Sequence, residues 1–152
     1  MPWPFLIAVM RAFGFGERWN DIIYRLISSC YFSILINGEA KDVFFKSSRG
    51  LRQGDPLSPA LFIIAAEFLS RSLNNLLQKV NFIPYSVPKG CTLINHLSYA
   101  DNILIFSSGH KNSLKAIMEV LKAYEGFSGQ LINKKKSGFI VGTRWKTEGG
   151  NY

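Results

Sequence analysis

Two segments of the chain combine residue types used in phosphate chemistry with rigid turn residues. The first is Arg49-Gly50-Leu51-Arg52-Gln53-Gly54-Asp55-Pro56-Leu57-Ser58-Pro59, in which two arginines precede a predicted helix start. Guanidinium groups and the free amides of a helix start both bind phosphate oxygens. The same residues also suit an ordinary loop before a helix, so this segment alone leaves both interpretations open.

The second segment places a carboxylate at the tip of a predicted hairpin. Asp101 lies in Tyr99-Ala100-Asp101-Asn102, between two apolar stretches. A rigidly held carboxylate is a ligand that Mg²⁺ prefers. Aspartate and asparagine are also common turn formers, and for this segment alone a simple turn is the favoured interpretation.

A third segment is strongly basic. It runs Gly129-Gln130-Leu131-Ile132-Asn133-Lys134-Lys135-Lys136-Ser137. Taken alone, it predicts a solvated basic turn, which is the usual role of a run of lysines.

In this order and at these spacings, the three segments resemble the reverse transcriptases of LINE elements (non-LTR retrotransposons), especially the type abundant in plant genomes. The arginine segment matches the family's RGxRQGDPLSP box, Tyr99 to Asn102 stands at its [YF]ADD box, and Asn133 to Ser137 matches its NxxK[ST] box. The likeness includes Trp3-Pro4-Phe5-Leu6 and Phe44-Phe45-Lys46-Ser47-Ser48. It extends from Trp3 to about Gly142.

The resemblance implies a reaction and a set of site residues. In the family, a primer 3′-OH attacks the α-phosphate of an incoming dNTP, and two Mg²⁺ ions stabilise the attacking and leaving oxygens. An RNA template and a DNA primer are the implied partners. By resemblance, Gln53 and Gly54 line the pocket for the incoming nucleotide, and Arg52 holds the nearby loop or the phosphates. Tyr99 and Ala100 lie near the primer end, and Asp101 is a metal ligand. Lys136 is the general acid for the leaving pyrophosphate.

The chain departs from the family pattern where the metal ligands belong. Asn102 occupies the second aspartate position of the hairpin, so this catalytic position is degenerate. The family's upstream aspartate precedes the Trp-x-Phe-Leu segment, and Trp3 already belongs to that segment, so we expect this ligand to be absent. Asp101 alone remains, and we expect Mg²⁺ binding to be weak or absent and the chain to be catalytically inactive.

Two other interpretations stay open. The formal net charge of +8 and the pI of about 9.7 favour attraction to polyanions, so the chain is alternatively a basic, non-enzymatic nucleic-acid binder. In a further alternative, the chain is part of a longer, active enzyme that was shortened in gene prediction.

We expect no membrane partner, because the apolar start Met1 to Ala12 is too short to span a bilayer. Localisation is left open between nucleus and cytoplasm.

The fold class predicted is α+β. By resemblance, the chain is part of a right-hand polymerase palm, an antiparallel sheet backed by helices, together with part of the fingers. We expect one palm domain over residues 1–142 and a polar, frayed tail over 143–152. A sheet without the family's upstream strand has an exposed apolar edge, which predicts poor solubility.

Spacing of apolar and turn residues predicts the individual elements. We expect Ser58 to cap its helix, Gly126 to end the last helix, and the two cysteines to be reduced and buried. The predicted elements are helices Phe5–Phe13, Trp19–Ile27, Ser58–Leu76 and Asn112–Tyr124, a hairpin of Tyr31–Ile36 and Val43–Phe45 with a slightly long loop, a second hairpin across Ala100–Asn102 with Ile103–Phe106 buried, and a last strand Phe139–Val141.

Overall fold

The computed structural model describes residues 1–142, apart from the side chains of residues 40–42. The tail predicted over 143–152 lies outside the described residues. The chain mixes helices with small antiparallel sheets, as the α+β prediction requires. The elements in chain order are α1 (Trp3–Ala12), α2 (Glu17–Ser28), β1 (Tyr31–Ile36), β2 (Glu39–Lys46), α3 (Ser58–Asn74), a 3₁₀ turn (Asn75–Gln78), β3 (His96–Tyr99), β4 (Asn102–Ile105) and α4 (Lys111–Ser128).

Helix α3 is the centre of the packing. Its N-terminal half buries Leu61 and Ala65 against α1 and α2, and its C-terminal half buries Leu69 and Leu73 against α4. Phe5 of α1 contacts both halves of this core. The other buried members are Leu6, Ile7, Met10 and Ile23 around the first half, and Leu76, Phe82, Ile117 and Tyr124 around the second.

Within residues 1–142 the strands form two separate two-stranded sheets, β1–β2 and β3–β4. In the first hairpin, Asn37 and Gly38 both have positive φ, 54° and 83°, which is the geometry of a tight two-residue turn. The slightly long loop that we predicted is therefore wrong. Strand β2 already begins at Glu39, and Asp42 lies in this strand rather than in a loop.

Two predictions about strands are wrong. Strand β4 was predicted to be buried, but Ile103 and Leu104 are 40% and 56% exposed, because a two-stranded sheet has no layer covering its outer face. Ile105 alone in this strand packs against the core. The last strand is not formed, and Phe139 to Val141 is exposed without a β partner.

The cap predicted for α3 and the end predicted for α4 are both wrong. Helix α3 begins at Ser58 as predicted, but the Ser58 hydroxyl donates to the Arg52 carbonyl oxygen (2.7 Å) instead of capping the helix. Helix α4 continues through Gly126 to Ser128, because Gly126 keeps a negative φ, and Gly129 at φ 61° ends the helix. The buried Tyr124 and Ser128 hold this last turn.

The cysteines are free thiols. Cys91 is exposed and Cys30 is half-buried, which contradicts the prediction that both are buried.

The stretch Ser58–Gln78 is long and apolar enough to cross a membrane by length and hydropathy alone. The helical core of a soluble domain passes the same test, and Leu61, Leu69 and Leu73 of this stretch pack inside the molecule.

Candidate functional site

The arginine loop, defined as residues 47–57, is shaped by a tight turn around Gln53 and Gly54. The Asp55 amide donates to the Arg52 carbonyl oxygen (3.3 Å), and Gly54 has φ of 86°. An L side chain rarely adopts that φ, so glycine is the residue that lets this turn close. The Asp55 carboxylate then accepts from the Leu57 amide (2.8 Å), just before α3 starts.

The arginine loop is fixed to the N-terminus of the protein. The Trp3 indole Nε1 donates to the Gly50 carbonyl oxygen (2.7 Å), and the Gly50 amide donates to the Met1 carbonyl oxygen (2.8 Å). Burial lowers the pKa of the Met1 amino group, and the positive charge of Arg49 lowers it further. These contacts hold Gly50, and with it Arg49, beside the first residues of the chain.

A cleft of about 140 Å³ lies beside the arginine loop and is lined by Arg49, Arg52 and Gln53. Small-molecule sites usually enclose about 300–1,000 Å³, so this cleft suits a phosphate-sized group rather than a whole nucleotide. Of the predicted nucleotide-binding residues, Arg52 and Gln53 line it, whereas Gly54 shapes the turn next to it. The other lining residues are Ile27, Cys30, Phe32, Ser47, Gly50 and Leu51.

The predicted metal ligand lies at the exposed tip of the β3–β4 hairpin. Tyr99 pairs with Asn102, and Ala100 and Asp101 form the turn between them. Ala100 has φ of 51°, a left-handed conformation that costs a non-glycine residue on the order of 1 kcal/mol. Tyr99 is 83% exposed and Asp101 is also exposed.

The donors at this tip do not fit a pair of Mg²⁺ ions. Asp101 offers the one carboxylate of the tip, and the Asn102 amide Nδ2 points to it, 3.4 Å from Oδ1. Two Mg²⁺ ions need several hard, mostly anionic oxygens fixed between them. Over residues 1–142, no group of three or more histidines, cysteines, aspartates or glutamates is arranged to hold a metal ion.

The base of this hairpin is fixed to α3 by a polar network that the sequence analysis missed. The buried Asn95 amide donates through Nδ2 to the Leu73 carbonyl oxygen (2.9 Å), so its Oδ1 accepts from His96 Nδ1 (2.7 Å). His96 Nδ1 then holds the proton, and Nε2 accepts from the Ser70 hydroxyl (2.8 Å). Burial lowers the pKa of His96, and the charge of Glu67 partly opposes that shift.

The lysine turn, residues 133–137, is a single helical turn organised by Asn133. The Asn133 side-chain oxygen accepts from the amides of Lys135 (3.1 Å) and Lys136 (3.3 Å), as an N-cap residue does. The Asn133 carbonyl oxygen accepts from the Ser137 hydroxyl (2.9 Å). Lys136, the predicted general acid, is exposed in this turn.

Each of the three segments is fixed to a different part of the helical core. The arginine loop is bonded to the chain around α1, the hairpin to α3, and the lysine turn to α4, where the Ile132 amide donates to the Glu125 carboxylate (2.8 Å). Among the hydrogen bonds and ion pairs within residues 1–142, none joins one of these segments directly to another. The structure therefore places the predicted residues on one helical scaffold, and within residues 1–142 no hydrogen bond or ion pair joins the three segments.

Comparison with known proteins places the chain among reverse transcriptases. A family model for reverse transcriptase (RNA-dependent DNA polymerase) matches residues 1–151. The retrovirus-related Pol polyprotein from the type-1 retrotransposable element R2 of Popillia japonica is 31% identical over 102 residues, which is 67% of this chain and 16% of that protein. None of the solved structures matches the chain.

A second relative is the uncharacterized mitochondrial protein AtMg01250 of Arabidopsis thaliana. It is 43% identical over 75 residues, 48% of this chain and 61% of that protein. The chain thus spans less than two thirds of the length of either relative, and a small part of the R2 polyprotein.

Proposed function

Because this chain belongs to the reverse transcriptase (RNA-dependent DNA polymerase) family, we propose that it is a LINE-type reverse transcriptase fragment whose hairpin does not support nucleotide addition. We propose that residues 1–142 form a partial palm with part of the fingers. The combination of four helices with two antiparallel hairpins is compatible with a partial reverse transcriptase domain.

The observation that supports inactivity most is Asn102 at the hairpin tip. An amide is neutral, so it neither attracts Mg²⁺ by charge nor offsets the repulsion between two such ions. Its Nδ2 also directs a donor toward Asp101, the one carboxylate of the tip. The tip therefore lacks the anionic oxygens that hold two metal ions.

The remaining site residues keep the types that the family uses. Gln53 and Arg52 line a phosphate-sized cleft, and Gly54 supplies the turn beside it, which supports a role in nucleotide binding. Tyr99 and Ala100 present an exposed surface suited to a primer end. Lys136 supplies a cation suited to a leaving pyrophosphate. An RNA template, a DNA primer and a dNTP are the proposed partners of these groups.

Primer extension on an RNA template with Mg²⁺ tests this proposal. We expect no extension by the unmodified chain. Mg²⁺-dependent extension that is abolished by Asp101→Asn would contradict the proposal.

Metal binding gives a second readout that does not depend on activity. Mn²⁺ titration of Asn102→Asp should show at least about tenfold tighter binding than the unmodified chain, because a second carboxylate is added at the tip. Asp101→Asn in the same background should remove the gain. Asp21→Asn on exposed α2 is the matched control and should change nothing.

The cleft beside the arginine loop favours a second candidate function, nucleic-acid binding without catalysis. Arg49 and Arg52 line the cleft, and the net charge of +8 attracts polyanions. Arg49→Gln with Arg52→Gln should weaken binding of single-stranded RNA and reduce its salt dependence. Unchanged binding by this double variant would leave the cleft without a role in nucleic-acid binding.

A further inference from the structure

Strand β1 presents an apolar sheet edge to solvent. Its six residues, Tyr31–Ile36, include no charged residue, no proline and no glycine. Because the sheet β1–β2 has two strands, β1 has a hydrogen-bonded neighbour on one side only. Five of its residues are exposed, and Phe32 is half-buried. An uncharged, apolar edge of this kind is a template on which another strand can pair.

The other sheet edges of the described residues are protected against such pairing. Strand β2 contains four ionisable residues among its eight, and charges on an edge strand oppose pairing with another chain. Strand β2 is also irregular, because its residues 41–43 lie opposite Ile34 alone. Strands β3 and β4 have four residues each, which makes their edges short. Among the described strands, β1 is therefore the one with a long, regular and uncharged edge.

The β1–β2 hairpin receives little cover from the rest of the molecule. A two-stranded hairpin alone is marginally stable in water, and further strands or a packed helix stabilise it. The ring stack of Phe32 on Phe45 lies within the hairpin itself. The apolar residues that are 49% to 70% exposed are Tyr31, Ile34, Leu35, Ile36, Val43, Phe44 and Phe45. A further strand at the β1 edge would cover part of this surface and extend the sheet.

We propose that β1 pairs antiparallel with β1 of a second copy of this chain. The product is a four-stranded sheet in the order β2–β1–β1–β2. Antiparallel pairing places the helices of the two copies at opposite ends of the paired strands, whereas parallel pairing brings them side by side. The twofold arrangement uses up both β1 edges and leaves the charged β2 strands outside, so association stops at a dimer.

The tight turn of the hairpin fixes which backbone groups of β1 point outward. Ile36 and Glu39 flank the turn as a hydrogen-bonded pair, so the N–H and C=O of Leu35 point away from β2. Outward-pointing residues alternate along a strand, and in an antiparallel pair they lie opposite one another. The twofold axis therefore passes beside a residue in the middle of β1, either Ser33 or Ile34. In both registers, the Ile34 side chains of the two copies lie on the same face, directly opposite or diagonal to one another.

The exposed apolar area sets the strength of this association. With about 150 Å² for an apolar side chain, the seven exposed residues present about 600 Å² per copy. Two copies then bury at most about 1,200 Å², which is the lower end of the range for specific interfaces. An interface of this size predicts a reversible dimer in the micromolar range rather than a permanent one.

Sedimentation equilibrium of the full chain, at about 1 to 100 μM, tests the proposal. The unmodified chain should show a monomer–dimer equilibrium with no larger species. Ile34→Lys and Ile34→Glu should each weaken dimerisation by more than about tenfold, because each brings two like charges together across the axis. An equimolar mixture of these two variants should associate again, since the charges across the axis are then opposite.

The matched controls are Val43→Lys and Val43→Glu, which make the same changes on β2, where Val43 is 62% exposed and Ile34 is 54% exposed. Each should change the dimerisation constant by less than about threefold. Equal weakening by the Val43 and Ile34 variants would place the contact on the faces of the hairpin and overturn pairing through β1. A chain that stays monomeric, one that assembles beyond the dimer, or a mixture of the Ile34 variants that fails to associate would also overturn it.

Hydrogen exchange of the unmodified chain gives a readout that needs no variant. The outward-pointing Leu35 amide should exchange more slowly as the protein concentration rises through the dimerisation range, because it becomes hydrogen-bonded to the second copy. The α1 amides should show no such change. Leu35 exchange that is independent of concentration while dimers form would overturn the proposed pairing. Circular dichroism checks that each variant keeps its helices.

Discussion

The two β hairpins of this protein are built alike but are held in different ways. The β3–β4 hairpin is bonded at its base to α3 through Asn95 and His96, and Ile105 enters the core. In the β1–β2 hairpin, the aromatic contacts are internal: Phe32 stacks on Phe45 with ring centroids 5.8 Å apart, and Lys46 lies over the Tyr31 ring. Its apolar side chains are largely exposed to solvent.

This difference shows where the fold gains its stability. Burial of apolar side chains is concentrated in the four helices, and the hairpins add little to it. The β3–β4 hairpin therefore owes its position to a few polar contacts and to Ile105, and the β1–β2 hairpin is an apolar surface without a covering layer. Substitutions at matched positions in the core and the hairpins can test each part of this contrast.

The largest expected effect comes from the core. Leu73→Ala removes a side chain that is 1% exposed at the point where α3 meets α4, and it should lower the free energy of unfolding by about 3–5 kcal/mol. Leu35→Ala in β1, where the side chain is 70% exposed, should cost less than about 1 kcal/mol. Urea denaturation followed by circular dichroism measures both, and equal losses would refute the contrast between core and hairpin.

The next effect concerns the network at the base of the β3–β4 hairpin. Asn95→Ala removes one of the donors to the Leu73 carbonyl oxygen and the acceptor of His96 Nδ1, which should cost about 1–3 kcal/mol. The hydrogen-exchange rates of the β3 and β4 amides should rise more than those of the α1 amides. Asn102→Ala at the exposed tip is the control. An equal loss of unfolding free energy in this variant would show that the Asn95–His96 network does not stabilise the hairpin.

The same network predicts how stability changes with pH. Burial lowers the folded-state pKa of His96 below its ordinary value of 6.5, so the unfolded chain binds more protons between those two values. Stability should therefore fall as pH decreases from about 7 through 6.5 and towards the lowered pKa. His96→Gln should flatten this decline, whereas His110→Gln at an exposed position should not. If the stability of His96→Gln still falls over this pH range, a group other than His96 takes up the proton.

The sequence predicted the parts of the fold that depend on local pattern. Helices α2 and α4 follow from apolar residues at helical spacing, and the first hairpin follows from the strand segments Tyr31–Ile36 and Val43–Phe45. The family match confirms the resemblance to reverse transcriptases that these segments indicated. The roles of single site residues stay predictions, because they depend on ligands rather than on the fold.

Other features depend on packing between distant elements and escaped the sequence analysis. An apolar run such as Ile103 to Phe106 is buried only when another layer covers it, and no local pattern reports that layer. The contacts of Asn95 and His96 with α3 lie more than 20 residues apart in the chain. Similarly, Asp55 and not Ser58 supplies the side-chain acceptor before α3, and the Ser58 hydroxyl donates to the Arg52 carbonyl oxygen, six residues earlier in the chain.

The exposed β1–β2 hairpin predicts a change in solubility with little change in stability. Leu35→Thr with Phe44→Thr replaces side chains that are 70% and 66% exposed, so the free energy of unfolding should change by less than about 1 kcal/mol. Light scattering at rising concentration should show slower aggregation, since an apolar strand edge favours association between chains. A loss above about 2 kcal/mol would show that these side chains are packed after all.

The smallest expected effect is at the hairpin tip, where the left-handed φ of Ala100 is 51°. Ala100→Gly relieves a conformation that costs an alanine about 1 kcal/mol, and it adds about 0.5–1 kcal/mol of backbone entropy to the unfolded chain. The two terms nearly cancel, so the free energy of unfolding should change by less than about 0.5 kcal/mol. Ala123→Gly on the exposed side of α4 has no strain to relieve and should cost about 1 kcal/mol. If Ala100→Gly and Ala123→Gly lower the free energy of unfolding equally, the backbone at Ala100 is not strained.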